Sequence, residues 1–341
     1  MQREFRILEV RRGSVLVQPL DAVKEECLRV ARATTYIENE VIIAEPLSDR
    51  SGVSSQWEVI AARVDPSFID GGAPKVVPCG NEEAGTECRF AEYVSSEEEE
   101  DFEDALEALR SGDHVTAARL LRAFIRRFPY HIDSYHHLGI IETDRGRRGR
   151  ALKYFEMGYR IGLRSVSEGF SGTLPWIHLE NRPFLRAAHG YGLALELQRR
   201  HLDAVDVYER ILAWNPNDNQ GVRYLLPSLY LQARAPQKAR ATLERHGADG
   251  MNLYTRCLLE IQDGRRREAL RWLCRALSYN LYLPRMVLAG KKVSHHEATC
   301  TVVVGSEHEA GQYLRENGGW LRKPPRDFLQ RLMAMKPFVR R

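Results

Sequence analysis

The sequence predicts a mainly α protein: a solenoid of helical hairpins with a small α+β region before it and a C-terminal capping segment after it. From Phe102 to about Leu283, helical stretches of roughly twelve residues alternate with breaks rich in Gly, Asp and Arg. After each break an alanine stands four residues before a large apolar residue: Ala117 with Leu121, Ala151 with Phe155, Ala204 with Tyr208, Ala239 with Leu243, and Ala269 with Leu273. These alanines are 34, 53, 35 and 30 residues apart. A period near 34 is typical of stacked helical hairpins, and the interval of 53 indicates one period plus an insertion.

The first segment, residues 1–92, is expected to be a small α+β region and linker. Short runs rich in Val and Ile predict strands at Arg6–Val10, Ser14–Gln18, Glu40–Ala44 and Glu58–Ala62. Between them Val23, Cys27, Val30 and Ala31 would share one face of a helix, which predicts a helix over 21–33. Residues 66–90 hold many Gly and Pro residues and indicate a loop-rich linker.

The last segment, residues 284–341, is expected to cap the repeats, which occupy residues 95–283. A strand is predicted at Thr299–Val304. Ser306 and Glu309 form a capping-box pattern that opens a helix, and a second helix is predicted from about Arg326 to Met335. Such helices would cover the apolar face that the last repeat leaves exposed.

Composition and charge exclude several classes of protein. The apolar fraction of 43% and the charged fraction of 28% are ordinary for a globular chain, and the net charge is only +4. No apolar run approaches the length that spans a bilayer, and the charged N-terminus lacks the apolar core of a signal peptide. We therefore expect a cytoplasmic protein without a membrane partner.

The sequence also lacks the motifs of common catalytic and cofactor sites. It contains no phosphate-binding loop, no dinucleotide-binding glycine motif, no H-E-x-x-H and no G-x-S-x-G. The pairs His136-His137 and His295-His296 are adjacent, and neighbouring residues on a helix point in different directions, so neither pair is a natural metal site. We expect no enzyme activity, no metal and no cofactor, although the weakly patterned N-terminal region leaves an enzyme as an alternative.

The second repeat resembles a tetratricopeptide-repeat (TPR) unit. It has Tyr135 and Leu138-Gly139, then Gly146, Ala151 and Phe155 at the offsets of that family. The strings Leu179–Arg186, Asn215–Leu226 and Gly305–Ala310, the last followed by Trp320, are similar to those of poorly characterised, mainly prokaryotic TPR proteins. This resemblance implies a binding or scaffold role and no known reaction.

The resemblance also implies that the first helix of each hairpin lines a concave groove. In the repeat register, the groove positions include His136 in the second unit, Arg186, His189 and Glu196 in the third, and Tyr224 in the fourth. A lining of histidine, arginine, tyrosine and aliphatic residues would suit a peptide with acidic and apolar side chains. A protein or peptide partner is therefore the main hypothesis.

The insertion before the third repeat supplies two more candidate partner-binding residues, Trp176 and Arg182. Insertions in repeat proteins often lie on the binding face, and exposed Trp and Arg are frequent interface anchors. Alternatively, Trp176 fills the extra space between hairpins, and Arg182 pairs locally with Glu180 or another carboxylate.

A nucleic-acid-associated regulator is the alternative function. Arginines cluster at two hairpin turns, 145–150 and 265–267, and basic residues recur in the C-terminal tail from Arg322 onwards. Clustered arginines can bind phosphates. The other interpretation of these residues is that they form solvated turns and a solubilising tail.

Overall fold

The computed structural model describes residues 2–47, 56–69, 74–79, 86–91, 96–166, 169–289 and 303–317, with the single residues 327 and 330. The chain divides into two compact units, Met1–Gln220 and Gly221–Arg341. Among the described residues, the first unit holds a β-barrel and three helical hairpins, and the second holds two hairpins and two further helices. The fold is therefore a TPR-like array of helical hairpins with a small sheet region at its N-terminal end.

Five strands at the start of the chain close into a barrel. They are β1 (Arg3–Arg11), β2 (Ser14–Pro19), β3 (Glu26–Val30), β4 (Val41–Pro46) and β5 (Gln56–Arg63), in the order β1-β2-β3-β5-β4. Only β3 and β5 are parallel within this barrel. Side chains alternate along a strand, so Phe5, Ile7, Val15 and Val17 fill the interior. A five-stranded barrel in this order has the OB-fold topology, and β1, β2, β4 and β5 confirm the four predicted strands.

The helix predicted over 21–33 is wrong. Its centre forms β3, which pairs with β2 and buries Leu28 and Val30 in the barrel, and only the short Ala33–Thr35 segment is helical, as a 3-10 turn. Val23, expected on the apolar face of that helix, is 88% exposed. So short an apolar run fits both the period of two of a strand and the period near four of a helix, and pairing with β2 favours the strand.

The predicted loop-rich linker contains a small sheet of two antiparallel strands, β6 (Val76–Pro78) and β7 (Cys88–Phe90). The buried side chain of Asn181 holds β7. It accepts a hydrogen bond from the Phe90 N–H at 3.1 Å and donates one to the Cys88 carbonyl at 3.0 Å. This part of the linker is thus attached to the insertion before the third hairpin. The predicted boundaries between the three segments of the chain stay a prediction.

Three hairpins complete the first unit. They are α1 (Ser96–Arg110) with α2 (His114–Arg127), α3 (Ile132–Asp144) with α4 (Arg148–Leu163), and α5 (Arg182–Leu197) with α6 (His201–Trp214). The alanines that defined the period are buried in the second helix of each hairpin, together with the large residue four positions later. The spacing argument is therefore confirmed in this unit.

The second unit contains the two remaining hairpins, α7 (Val222–Gln232) with α8 (Pro236–His246) and α9 (Asn252–Gln262) with α10 (Arg266–Tyr279). Two helices follow, α11 (Tyr282–Ala289) and α12 (Glu307–Asn317). Ala310 and Tyr313 of α12 are buried in one apolar cluster with residues of α9, α10 and α11. Ser306 Oγ accepts a hydrogen bond from the Glu309 N–H at 3.1 Å. The predicted capping helix and its capping residues are confirmed.

The other C-terminal predictions fall mostly outside the described residues. Of the strand predicted at Thr299–Val304, only Val303 and Val304 are described, and they are exposed and not in a strand. Trp320 lies outside the described residues, as does most of the segment from Arg326 to Met335. The two described residues there, 327 and 330, are helical.

Candidate functional site

The helices α3 and α5 lie side by side in the first unit because two glycines leave room for one aromatic ring. A Cβ at Gly139 of α3 would lie 2.6 Å from the Phe155 ring, and a Cβ at Gly190 of α5 would lie 2.5 Å from it. Phe155 of α4 therefore packs between these glycines. Because of this close approach, the side chains on the exposed sides of α3 and α5 form one continuous surface.

Polar side chains from α3 and α5 meet on this surface. The guanidinium of Arg186 donates a hydrogen bond to Asp133, which also lies 3.9 Å from His137. Among the described residues, four buried atoms here have no hydrogen-bond partner: Asp133 Oδ1, His136 Nδ1, Arg186 Nε and His189 Nε2. Buried polar atoms are nearly always paired in native proteins, so this cluster is a candidate functional site.

The histidines of this cluster are neutral at neutral pH. Burial lowers the pKa of His189 to about 4. Burial also lowers the pKa of His136 well below its usual value, and the neighbouring His137 and Arg186 lower it further. The only charges in the cluster are then those of Arg186 and Asp133, which oppose each other. The surface thus presents hydrogen-bonding groups with little net charge.

An apolar edge continues this surface along both helices. Ile140 lies one turn after His136, and Leu193 and Leu197 lie one and two turns after His189. These three side chains are 37%, 41% and 52% exposed, respectively. We define the α3–α5 face by Asp133, His136 and Ile140 of α3 and by Arg186, His189, Leu193 and Leu197 of α5. It combines an apolar edge with unpaired polar atoms.

The structure thus brings together three of the seven predicted partner-binding residues, His136, Arg186 and His189. Glu196 instead accepts a hydrogen bond from the Tyr208 hydroxyl at 2.6 Å, which directs it towards its own hairpin. Tyr224 belongs to the second unit, where it is 40% exposed and its hydroxyl donates to Asp249 at 3.3 Å. The other residues of the face are Asp133, Ile140, Leu193 and Leu197.

Trp176 and Arg182 form a local stack in the insertion. The Arg182 guanidinium lies 5.4 Å from the centre of the Trp176 ring, and its Nε donates to the Trp176 carbonyl at 3.0 Å. Glu180 pairs with Arg89 at 2.8 Å instead of with Arg182. The strongly exposed apolar side chains of the insertion are Ile177 and Leu179, which the sequence interpretation did not single out.

The arginines of the hairpin turns surround buried carboxylates. Glu142, at the end of α3, is fully buried and lies 3.2 to 3.6 Å from four guanidinium groups, those of Arg122, Arg145, Arg147 and Arg150. Glu260 of α9 occupies the same repeat position and pairs with Arg240, Arg256 and Arg265. In both clusters one arginine stands 20 residues before the glutamate and one stands five residues after it. These ion pairs therefore connect each turn to the preceding hairpin.

The described part of the chain offers neither a metal site nor a membrane-spanning helix. No group of three His, Cys, Asp or Glu side chains there is placed to hold a metal ion. No helix in the same residues has the length and apolar character needed to cross a bilayer.

No family model matches this sequence, and no curated protein matches it either. Among solved structures, MamA is 18% identical, with a TM-score of 0.40 over 51% of this chain and 92% of MamA. A tetratricopeptide repeat protein from Parabacteroides merdae is 17% identical, with a TM-score of 0.43 over 70% of this chain and 80% of its own. YrrB, described as a TPR protein with an unusual peptide-binding site, is 15% identical, with a TM-score of 0.39 over 64% of this chain and all of YrrB.

These likenesses are too distant to transfer a function. The fold assignment depends on the hairpins themselves, with buried alanines at the predicted period and glycines at the helix crossings. On those features the chain is a TPR-like protein.

Proposed function

We propose that this protein is a binding scaffold whose α3–α5 face holds an extended segment of a partner protein. The observation that carries the proposal is the exposed apolar edge of Ile140, Leu193 and Leu197 beside the polar cluster around Arg186. A peptide backbone offers both donors and acceptors to the polar groups of this face, while its side chains cover Ile140 and the leucines. This combination of apolar contact with a few fixed polar groups is typical of binding sites.

The chemistry of the face favours a peptide with apolar side chains and one acidic group. Arg186 is the only cation of the face, and its side chain is 36% exposed although the guanidinium also contacts Asp133. The neutral histidines add hydrogen bonds without adding charge. A basic peptide would gain less, since Asp133 already has a cationic partner.

The proposal can be tested with two matched substitutions in the third hairpin. Peptides would be selected from a random library on the full chain, and their affinities measured by fluorescence polarisation. Leu193→Glu, on the face, is expected to weaken binding at least tenfold, because it places a charge against the apolar part of the peptide. Leu202→Glu makes the same change at an exposed leucine of α6, outside the face, and should leave the affinity unchanged.

The double variant Arg186→Ala with His189→Ala tests the polar part of the same face. We expect weaker binding of peptides that carry an acidic residue and a smaller effect on peptides without one. Equal binding by the double variant and the wild type would remove Arg186 and His189 from the site.

The nucleic-acid alternative has less support among the described residues. Arg147, Arg150 and Arg265 already pair with buried glutamates, and the basic tail lies almost wholly outside the described residues. OB-fold barrels bind oligonucleotides on the face of β2 and β3, where aromatic rings stack on bases. In this barrel, β2 and β3 contain no aromatic residue. A cytoplasmic location and a role without catalysis stay predictions.

A further inference from the structure

A basic cleft lies between the barrel and the start of α4, away from the α3–α5 face. Its volume is about 550 Å³, which is within the range of small-molecule sites. The 3-10 turn of the barrel contributes Thr34 and Thr35, and the α4 end contributes four cations, Arg147, Arg148, Arg150 and Lys153. Glu142 pairs with Arg147 and Arg150, and Glu40 pairs with Lys153, so Arg148 is the cation of the cleft that pairs with no carboxylate among the described residues. The lining of the cleft therefore suits an anion.

The first turn of α4 makes the cleft more positive. The residue before α4 is Arg147, which provides no side-chain acceptor for the N–H groups of the first turn, and that turn contains no acidic residue. At the same repeat position, Asp113 accepts hydrogen bonds from the Val115 and Thr116 N–H groups of α2. A Cβ at Gly149 would meet no neighbouring side chain within 4 Å, so the space beside this helix end is open. Unpaired N–H groups at a helix start favour a bound anion.

A buried arginine side chain also indicates positive charge at the cleft, independently of the start of α4. Arg150 is only 8% exposed, and its Nε has no hydrogen-bond partner, although its other nitrogens contact Glu142 and Tyr154. Glu142 divides one negative charge among four guanidinium groups, and of these only Arg122 pairs with a second carboxylate among the described residues, that of Glu38. Among the described residues, no carboxylate pairs with the exposed Arg148. Positive charge is therefore in excess at the cleft.

We propose that this cleft binds a small phosphate-bearing anion. Arg148, which pairs with no carboxylate among the described residues, would pair with phosphate oxygens, the first-turn N–H groups of α4 would donate to them, and Thr34 and Thr35 contribute to the lining. A pyrophosphate-sized group fits the volume and the number of cations better than a single monovalent ion. The partner peptide of the α3–α5 face is not involved, so either proposal can fail without the other.

The test is calorimetric titration of the full chain with pyrophosphate at about 0.15 M ionic strength, where attraction between exposed charges more than about 8 Å apart is largely screened. We expect saturable binding of one pyrophosphate per chain. Arg148→Glu should weaken it at least tenfold, because it reverses the charge of a residue that has no structural ion pair. Arg266→Glu is the matched control: it makes the same change at the same repeat position, the first residue of α10, whose first turn contains Glu268. It should change the affinity less than twofold.

Three outcomes would overturn the proposal. The first is no saturable binding of pyrophosphate by the wild type. The second is an equal loss in both variants, since that indicates general charge attraction instead of a site. The third is binding of a single-stranded oligonucleotide in a parallel titration in which pyrophosphate does not bind, which would favour the nucleic-acid alternative.

Discussion

Single residues decide how closely the helices of the hairpins approach. Gly139 and Gly190 face the two sides of Phe155, and Gly192 faces Tyr208, to which a Cβ would come within 2.3 Å. Gly139 and Ala151, which the second repeat shares with the TPR pattern, both lie where neighbouring helices pack. The first helices thus require glycine at these positions because any side chain would overlap an aromatic ring. This requirement does not depend on backbone conformation.

Gly139→Ala tests this packing. We expect a loss of about 2 kcal/mol in the free energy of unfolding, because the added methyl overlaps the buried Phe155 ring and the core must shift. Gly149→Ala is the control, since it lies in α4 with open space around it. That change should raise stability by about 0.5 kcal/mol through the lower entropy of the unfolded chain. Urea unfolding measures both variants, and equal effects would contradict the packing argument.

The buried histidines predict a loss of stability in mild acid. The pKa of His189 is about 4 in the folded chain and near its ordinary value of 6.5 in the unfolded chain. Between these values only the unfolded state binds the proton, so stability is full above about pH 6.5 and falls as the pH drops towards 4. Because His189 is not fully buried, we expect it to lower the free energy of unfolding by about 1 kcal/mol at pH 5.

The variant His189→Gln isolates the contribution of His189 to the pH dependence of stability, because glutamine keeps polar atoms at the position and does not titrate. Urea unfolding of wild type and variant at pH 7.5 and pH 5 would be compared. The variant should lose less stability than the wild type between the two pH values. An identical loss in both would show that His189 does not carry the effect.

At the scale of elements, each buried glutamate connects a hairpin turn to the helix that precedes the hairpin. Breaking a buried ion pair by removing one partner costs about 3 kcal/mol or more, whereas an exposed pair contributes less than about 1 kcal/mol. Glu142→Gln should therefore lower the urea midpoint strongly, because four guanidinium groups lose their anion. Glu107→Gln, which removes an exposed partner of Arg110, should change it little. Similar midpoints for the two variants would contradict this account.

The hairpins were predictable from sequence because their signal is local and repeated. An alanine four residues before a large apolar side chain marks the second helix of each hairpin, and the same register placed His136, Arg186 and His189 on one surface.

The barrel was only partly predictable. The parallel pairing of β3 with β5 joins residues distant in sequence, and no local pattern around Cys27 distinguishes β3 from a helix. The Trp176–Arg182 stack lies in an insertion without a repeat register, so its geometry was not predictable.

Within the first unit, the barrel and the second hairpin share buried polar contacts. Three residues before β4 are almost fully buried: Glu38, Asn39 and Glu40. The Tyr154 hydroxyl donates to Glu38 at 2.6 Å, and the Asn39 amide donates to the Tyr135 hydroxyl at 2.7 Å. Asn39 has a φ of 64°, a left-handed conformation that asparagine adopts more readily than most residues. The segment that was predicted as a separate region thus completes the polar core of the second hairpin.

Deleting residues 1–92 should therefore destabilise the hairpins and not merely remove a neighbour. Without the barrel, Tyr154 and Arg122 would lose Glu38, and Lys153 would lose Glu40. We expect the thermal unfolding midpoint of the helical signal, followed by circular dichroism, to fall by several degrees. In the full chain, Asn39→Gly keeps the backbone conformation and removes one contact, so it should lower the midpoint by less. An unchanged midpoint in the deletion would show that the barrel does not support the hairpins.

The central claim is that a peptide binds on the α3–α5 face, and hydrogen–deuterium exchange tests it most directly. Exchange of the full chain would be measured with and without a peptide selected from the random library. We predict slower exchange in the peptic fragments that cover Ile132–Asp144 and Arg182–Leu197, and no such change when Leu193→Glu replaces the wild type. Protection confined to other helices, with α3 and α5 unchanged, would contradict the claim.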